Sequence, residues 1–198
     1  MTEPANLADD DLAQLMASGD DQAFTALYRR RQGAVYRFAL QMSGNASIAE
    51  EVTQEVFLSL LRDPGGYDSG RGPLTSYLYG IARNLVWRRL AQSKGHVPIS
   101  AEGEDDMRAP DSLIVPAEVE RDLVRDEAAQ SVRRAILGLP PGYREAVVLC
   151  DLHELSYEDA ARVLGCAVGT VRSRLHRARA LLSERLTARR RRSKGCLV

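Results

Sequence analysis

The chain has 198 residues, 44% of them hydrophobic, with 27 basic and 27 acidic side chains. That length suits one ordinary domain or two small ones. No apolar run nears the ~18 residues of a membrane span, the acidic start "MTEPANLADDDLAQ" lacks the apolar segment of a secretory signal, and the scattered Cys150, Cys166 and Cys196 form no CxxC pair that would suggest a disulfide framework or a zinc site. The expectation is a cytoplasmic chain with no membrane insertion, no metal and no cofactor.

The balanced total hides a segregation of charge. Residues 1–90 carry 9 basic and 11 acidic groups, residues 91–130 carry 4 and 10, and residues 131–198 carry 14 and 6. Arginine supplies almost all of the positive charge, with lysine only at Lys94 and Lys194. Its planar fork suits bidentate contact with phosphates and guanine edges, although a GC-rich genome also favours arginine.

In chain order, the first half reads as helix. Phe24, Leu27, Val35, Phe38 and Met42 fall near helical spacing, and "SGN" at 43–45 breaks that helix. Ser47 with Glu50 fits a capping box for the next helix, "IAEEVTQEVFLSLLR". There Val52, Val56 and Leu60 form a stripe with Phe57 and Leu61 beside it. "DPGGYDSGRG" is a turn-rich loop, and Pro73 suits the first position of a helix that runs to about Ala91. Leu74, Leu78, Ile81 and Leu85 form its apolar stripe.

"SKGHVPISAEGEDDMRAPDSLIVP", with three prolines, two glycines and an acidic cluster, reads as a flexible linker. Helical periodicity resumes from Ala117 to Leu137, and Pro140 and Pro141 open another helix. Ser156 with Asp159 is a second capping box, and Gly165 is placed for a left-handed C-terminal cap. The fold class is all-α. The domain boundaries are 1–92 and 126–186, with an acidic linker at 93–125 and a basic, disordered tail at 187–198.

The segment 157–182 carries the chemistry. A short helix, "YEDAARVL", a turn, "GCAVG", and a longer helix, "TVRSRLHRARALL", place Ala161, Gly165 and Val171 as the small residue, turn glycine and buried apolar residue of a helix-turn-helix. Val171, Leu175, Ala178 and Leu182 share one face of the second helix, at steps of 4, 3 and 4. Ser173, His176 and Ala180 point away, with Thr170 and Arg177 nearby, and Arg172, Arg174 and Arg179 flank the packed stripe. Such a wheel offers donors to bases and phosphates. A solvated face is the alternative, but solvated faces usually mix signs, and between Gly165 and Ser183 there is no acid.

"LSYEDAARVLGCAVGTVRSRLHRARALL" resembles region 4 of the extracytoplasmic-function (ECF) sigma factors of bacterial RNA polymerase, group 4 of the sigma-70 family. "AEEVTQEVFLSLL" is similar to their region 2.2, and "YDSGRGPLTSYLYGIARNLVWRRL" to their regions 2.3 and 2.4. The resemblance covers nearly the whole chain in order. It implies that Glu51, Gln54, Glu55, Phe57 and Leu58 dock on the β′ clamp helices of core RNA polymerase, with further contact to the β subunit. This chain has Glu51 where the family usually has Asp, and Thr53 where it commonly has an aliphatic residue. For Phe57, core packing explains the spacing equally well.

The resemblance further implies −10 recognition and melting of promoter DNA by Tyr79, Arg83, Asn84, Trp87, Arg88 and Arg89. It implies −35 readout by Thr170, Arg172, Ser173, Arg174, His176, Arg177 and Arg179, with Arg179 the phosphate holder. The aromatics Tyr67, Tyr77, Tyr79 and Trp87 suit base stacking, though Tyr77 and Trp87 can also pack internally. Residues 63–72 would pocket a flipped base, the acidic "EGEDD" at 102–106 would enter polymerase channels, and an anti-sigma factor would hold the free chain. Two other classes compete. A stand-alone helix-turn-helix regulator leaves 49–57 and 73–91 without a purpose. An enzyme would need a nucleophile or metal constellation, which the scattered His96, His153 and His176 do not make.

Overall fold

The computed structural model describes residues 7–93 and 125–194, with side chains for 7–93 and 128–187, and among them there are helices and turns but no strand. The first unit holds α1 (Asp9–Ala17), α2 (Asp21–Ser43), α3 (Ala46–Arg62) and α4 (Leu74–Ser93). The second holds α5 (Arg125–Leu137), α6 (Pro141–Val147), α7 (Tyr157–Leu164) and α8 (Val168–Lys194). Residues 94–124 lie outside the description, and with them the expected linker and its acidic 102–106 stretch.

Local chemistry sets the helix ends. Asp20 accepts the backbone N–H groups of Gln22 and Ala23 at 2.8 and 3.1 Å, satisfying two donors that open α2. The cap of α3 is Asn45 rather than Ser47: its Oδ1 accepts the Ile48 N–H at 3.1 Å, which leaves Ser47 inside the first turn. Asp10 of α1 reaches across to accept the Leu74 N–H at 3.1 Å, so α1 caps α4. In the second unit Pro141 takes the first position of α6, which widens into a π-helical turn at Val148–Leu152. Ser156 caps α7 by accepting the Asp159 N–H at 3.0 Å, and its hydroxyl donates to Asp159 Oδ2 at 2.6 Å.

Helix α8 starts at Val168 and continues to Lys194, into the segment expected to be a disordered tail. No glycine or proline interrupts residues 170–194, and Leu, Ala and Arg favour helix, so nothing ends it before Gly195.

Leu27, Val35, Phe38 and Met42 of α2 pack with Val52, Val56 and Leu60 of α3, all 0 or 1% exposed. The stripe expected on α4 holds at Leu74 and Leu78, then passes to Ala82 and Val86; Ile81 and Leu85 are only half-buried. Helix α4 is covered by α2 and α3 on one side and by α7 on another, so a single stripe cannot describe it.

The two units do not stand apart. Helix α2 touches α5 and the π-helical turn, α4 touches α7, and the buried residues form one continuous cluster. Gly44 sits at this junction. Its φ of 70° is left-handed, and a Cβ there would come within 2.7 Å of Leu137 Cδ1. Gly44→Ala therefore adds backbone strain of about 1–2 kcal/mol to an overpacking cost of about 1–3 kcal/mol. A lowered urea midpoint with an unchanged m value is the expected result; an unshifted midpoint would contradict it.

Candidate nucleic-acid interface

Helices α6 and α7 hold α8 by its apolar seam. Val171, Leu175 and Ala178 are buried, Leu182 is half-buried, and Ala161 lets α7 cross closely. Gly165 turns the chain with φ 63° and ψ 36°, the left-handed conformation expected of it. Arg172, Ser173, His176, Arg177 and Arg179 are exposed on the outer face, with Thr170 and Arg174 half-buried at its edges.

Neighbours pre-position part of this face. The Arg172 guanidinium lies 5.7 Å from the Tyr157 ring centroid, a cation–π contact that ties it to the first residue of α7. Ser173 Oγ donates to the Thr170 carbonyl at 3.0 Å. Arg179 is not an open phosphate holder: its Nε and Nη2 grip both Asp151 oxygens, at 3.1 and 2.6 Å. That pairing raises the Arg179 pKa and offsets its charge.

On α3, Glu51, Gln54 and Leu58 are exposed, and Glu55 is half-buried and paired with Arg62 at 2.8 Å. Leu61, which the apolar stripe alone places only beside the core, joins Leu58 one turn on, giving two exposed leucines on this face. Phe57 is corrected to a core residue. It is 2% exposed, with Phe24 and Tyr28 edge-on at ring distances of 6.4 and 4.9 Å. Thr53 is also buried, its hydroxyl satisfied by the Ala49 carbonyl at 2.7 Å.

The α4 residues divide in the same way. Asn84 and Arg88 are exposed, and Arg89 pairs with Glu51 at 3.3 Å, linking the expected −10 and polymerase faces. Tyr79 is corrected to a buried position: it is 3% exposed, stacked on Phe38 at 5.0 Å, with its hydroxyl 2.7 Å from His153 Nδ1. Arg83 and Trp87 are half-buried. Arg83 Nε and Trp87 Nε1 both donate to Glu145 Oε1, each at 2.6 Å. Arg144 adds a guanidinium 5.9 Å from the Trp87 ring centroid.

Beside these groups, loop 63–72 and the start of α4 wall a cleft of about 420 Å³, closed on its far side by Arg162, Val163, Leu164 and Gly165. Tyr67 and Tyr77 line it with ring centroids 5.7 Å apart. Ser76 Oγ borders it, buried and without a hydrogen-bond partner among the described residues.

Glu145 and His153 carry no signal in the sequence, because no local pattern marks a residue whose partners lie far along the chain. His153 Nε2 is 2.8 Å from Gln41 Oε1, an acceptor, so Nε2 carries the proton and Nδ1 accepts the Tyr79 O–H. Burial, then nearby Arg37, lower the His153 pKa from 6.5 to about 4. The fold therefore favours the neutral ring. Its contribution to stability is complete above about pH 6.5 and falls as pH drops toward about 4, because the unfolded chain takes up the proton first. Urea midpoints measured across that window should fall for the wild type and fall less for His153→Phe; parallel curves would contradict the assignment.

Residues 27–95 match the family described as Sigma-70 region 2, and residues 129–182 match Sigma-70, region 4. The ECF RNA polymerase sigma factor SigW of Bacillus subtilis is 30% identical, over 85% of this chain and 91% of its own length. The chain belongs to the ECF sigma factors.

Other relatives of this sigma factor agree. ECF sigma factor SigE of Mycolicibacterium smegmatis is 36% identical over 86% of this chain and 65% of its own length, and the RNA polymerase sigma-H factor of Pseudomonas aeruginosa is 32% identical over 90% and 93%. Among solved structures, CnrH in complex with the cytosolic domain of CnrY superposes with a TM-score of 0.69 and 28% identity, covering 92% of this chain and 99% of that one. Sigma factor RpoE from Bartonella quintana, solved with the anti-sigma factor NepR, gives 0.56 and 28%, covering 79% and 91%. Among the described residues of this sigma factor, no helix is long and apolar enough to cross a membrane.

Proposed function

We propose that this chain binds core RNA polymerase, directs it to promoters through −35 and −10 contacts and assists melting, without catalytic chemistry or a cofactor of its own, in the cytoplasm. The observation that carries the proposal is the pairing, in one chain of this family, of an exposed arginine face on a helix-turn-helix with a separate exposed α3 face. Arg172, Ser173, Arg174, His176 and Arg177, with Thr170 at the edge, read the −35 element in the major groove. Arginine forks toward guanine would contribute about 1–3 kcal/mol of discrimination each. Arg179 acts mainly by fixing α8 to Asp151.

Glu51, Gln54, Glu55, Leu58 and Leu61 dock on the polymerase β′ clamp helices, the two leucines supplying the apolar contact and the acids and amide its polar rim. Asn84, Arg83, Trp87, Arg88 and Arg89 hold the −10 strand, and the cleft between loop 63–72 and α4 receives an extruded base. Tyr67 and Tyr77 give that base aromatic walls, and Ser76 Oγ gives its edge a polar partner. An anti-sigma factor binds the free chain, by analogy with RpoE and its partner NepR.

The deciding experiment is runoff transcription with core polymerase on a genomic promoter library. Specific initiation dependent on this chain is expected. Folded protein that directs no initiation, yet binds duplex DNA without polymerase, would establish a stand-alone helix-turn-helix regulator instead.

A further inference from the structure

The groups that would meet a melted −10 strand are already occupied, and the occupant is the second unit of the same chain. A single oxygen, Glu145 Oε1, accepts both the Arg83 Nε–H and the Trp87 indole N–H at 2.6 Å. The Glu145 side chain is only 4% exposed. A carboxylate there stands where the anionic strand would have to come, and it repels that strand as well as excluding it.

Three other contacts join the two units. Tyr79 is tied through His153 to Gln41 by hydrogen bonds of 2.7 and 2.8 Å. Arg144 Nη1 donates across the junction to the Met42 carbonyl at 2.8 Å. Arg162 of α7 lies against Gly72, so close that a Cβ on the glycine would be 2.6 Å from Arg162 Nη1. This last contact lies at the rim of the cleft beside loop 63–72.

We propose that Glu145 is an interdomain latch: by gripping Arg83 and Trp87 it holds the second unit over α4 and keeps the −10 face of the free chain closed. The inference rests on the reading of α4 as a single-strand-binding helix. The latch is polar by construction. A buried ion pair of this kind gains little net stability over water, because desolvation of both charges offsets their attraction. It therefore sets geometry at small net cost and can be exchanged for DNA phosphates and a base, which satisfy the same donors. The apparent affinity of the free chain for single-stranded DNA is lowered by the fraction of molecules in the open form.

Trp87 is the chain's one tryptophan, so its emission reports the latch directly. The full-length wild type should scatter X-rays as one compact particle; an extended two-body particle would overturn the proposal. Glu145→Met removes both the charge and the acceptor oxygen at similar size, and His153→Phe breaks the contact at its other end without touching Glu145. Circular dichroism melting confirms that each variant is folded.

Opening should red-shift Trp87 emission, raise its quenching by acrylamide and enlarge the radius of gyration. It should tighten binding of fluorescein-labelled A/T single-stranded DNA by about five-fold or more. Saturating core polymerase should erase the difference from wild type in runoff yield. Folded variants that keep wild-type emission and size would overturn the latch and leave the −10 assignment standing. Variants that open without gaining affinity for the DNA would refute the −10 assignment, and the latch as a gate for DNA with it.

Discussion

Arg144→Met lowers folding stability by roughly 3–5 kcal/mol, the cost of leaving three buried carbonyls without their donor at about 1–3 kcal/mol each. Arg144 is 6% exposed. Its Nη1 donates to the Met42 carbonyl at 2.8 Å, and its Nη2 donates to the Leu137 carbonyl and to the Leu139 carbonyl at 3.2 Å. These carbonyls lie at the ends of α2 and α5, where helices leave acceptors without an intrahelical partner. One planar fork thus ties two helix ends across the junction between the units. Methionine fills similar space but satisfies none of them. Lysine should not rescue, because one ammonium on a flexible stem cannot reproduce the fork. Urea denaturation checks this, and a drop below about 1 kcal/mol would show that the carbonyls find other partners.

The double substitution Arg172→Ala and Arg177→Ala weakens holoenzyme binding to a promoter recovered in the runoff screen by roughly 30-fold or more, at about 1–3 kcal/mol for each arginine–base pairing removed. Both residues are exposed on the outer face of α8, away from the Val171–Leu175–Ala178 seam. The fold and the α3 face are therefore left intact, and copurification with core polymerase should equal wild type. If the arginines contact phosphates instead, affinity falls uniformly across promoter sequences and the salt dependence of binding drops by about one per phosphate. Loss of polymerase binding in the double variant would refute the division of labour between α8 and α3.

Much of the helix-turn-helix is readable locally. The Ser156 cap, the left-handed Gly165 and the buried 171–175–178 seam each depend on residues within about one turn of one another, where spacing carries the information. The Asn45 cap shows how narrow the margin is. Ser47 has the better motif, but the side chain that reaches the free Ile48 N–H stands two residues earlier. Phe57 and Tyr79 differ from expectation for another reason. Each lies on a helix covered from more than one direction, so exposure cannot be inferred from a single apolar stripe. Arg179 misleads because Asp151, which offsets its charge, belongs to the π-helical turn rather than to α8.

By itself the sequence determined the helical class, the order of the two sigma regions, the turn that aims α8 and the set of arginines on its outer face. Those features follow from helical period, capping and glycine conformation, which act over a few residues. Only the tertiary structure decided that the units pack together, and that Trp87 meets Glu145 and Met42 meets Arg144 at separations of 58 and 102 residues. Such partners are chosen by packing and by the need of buried polar groups for mates, which no local pattern records.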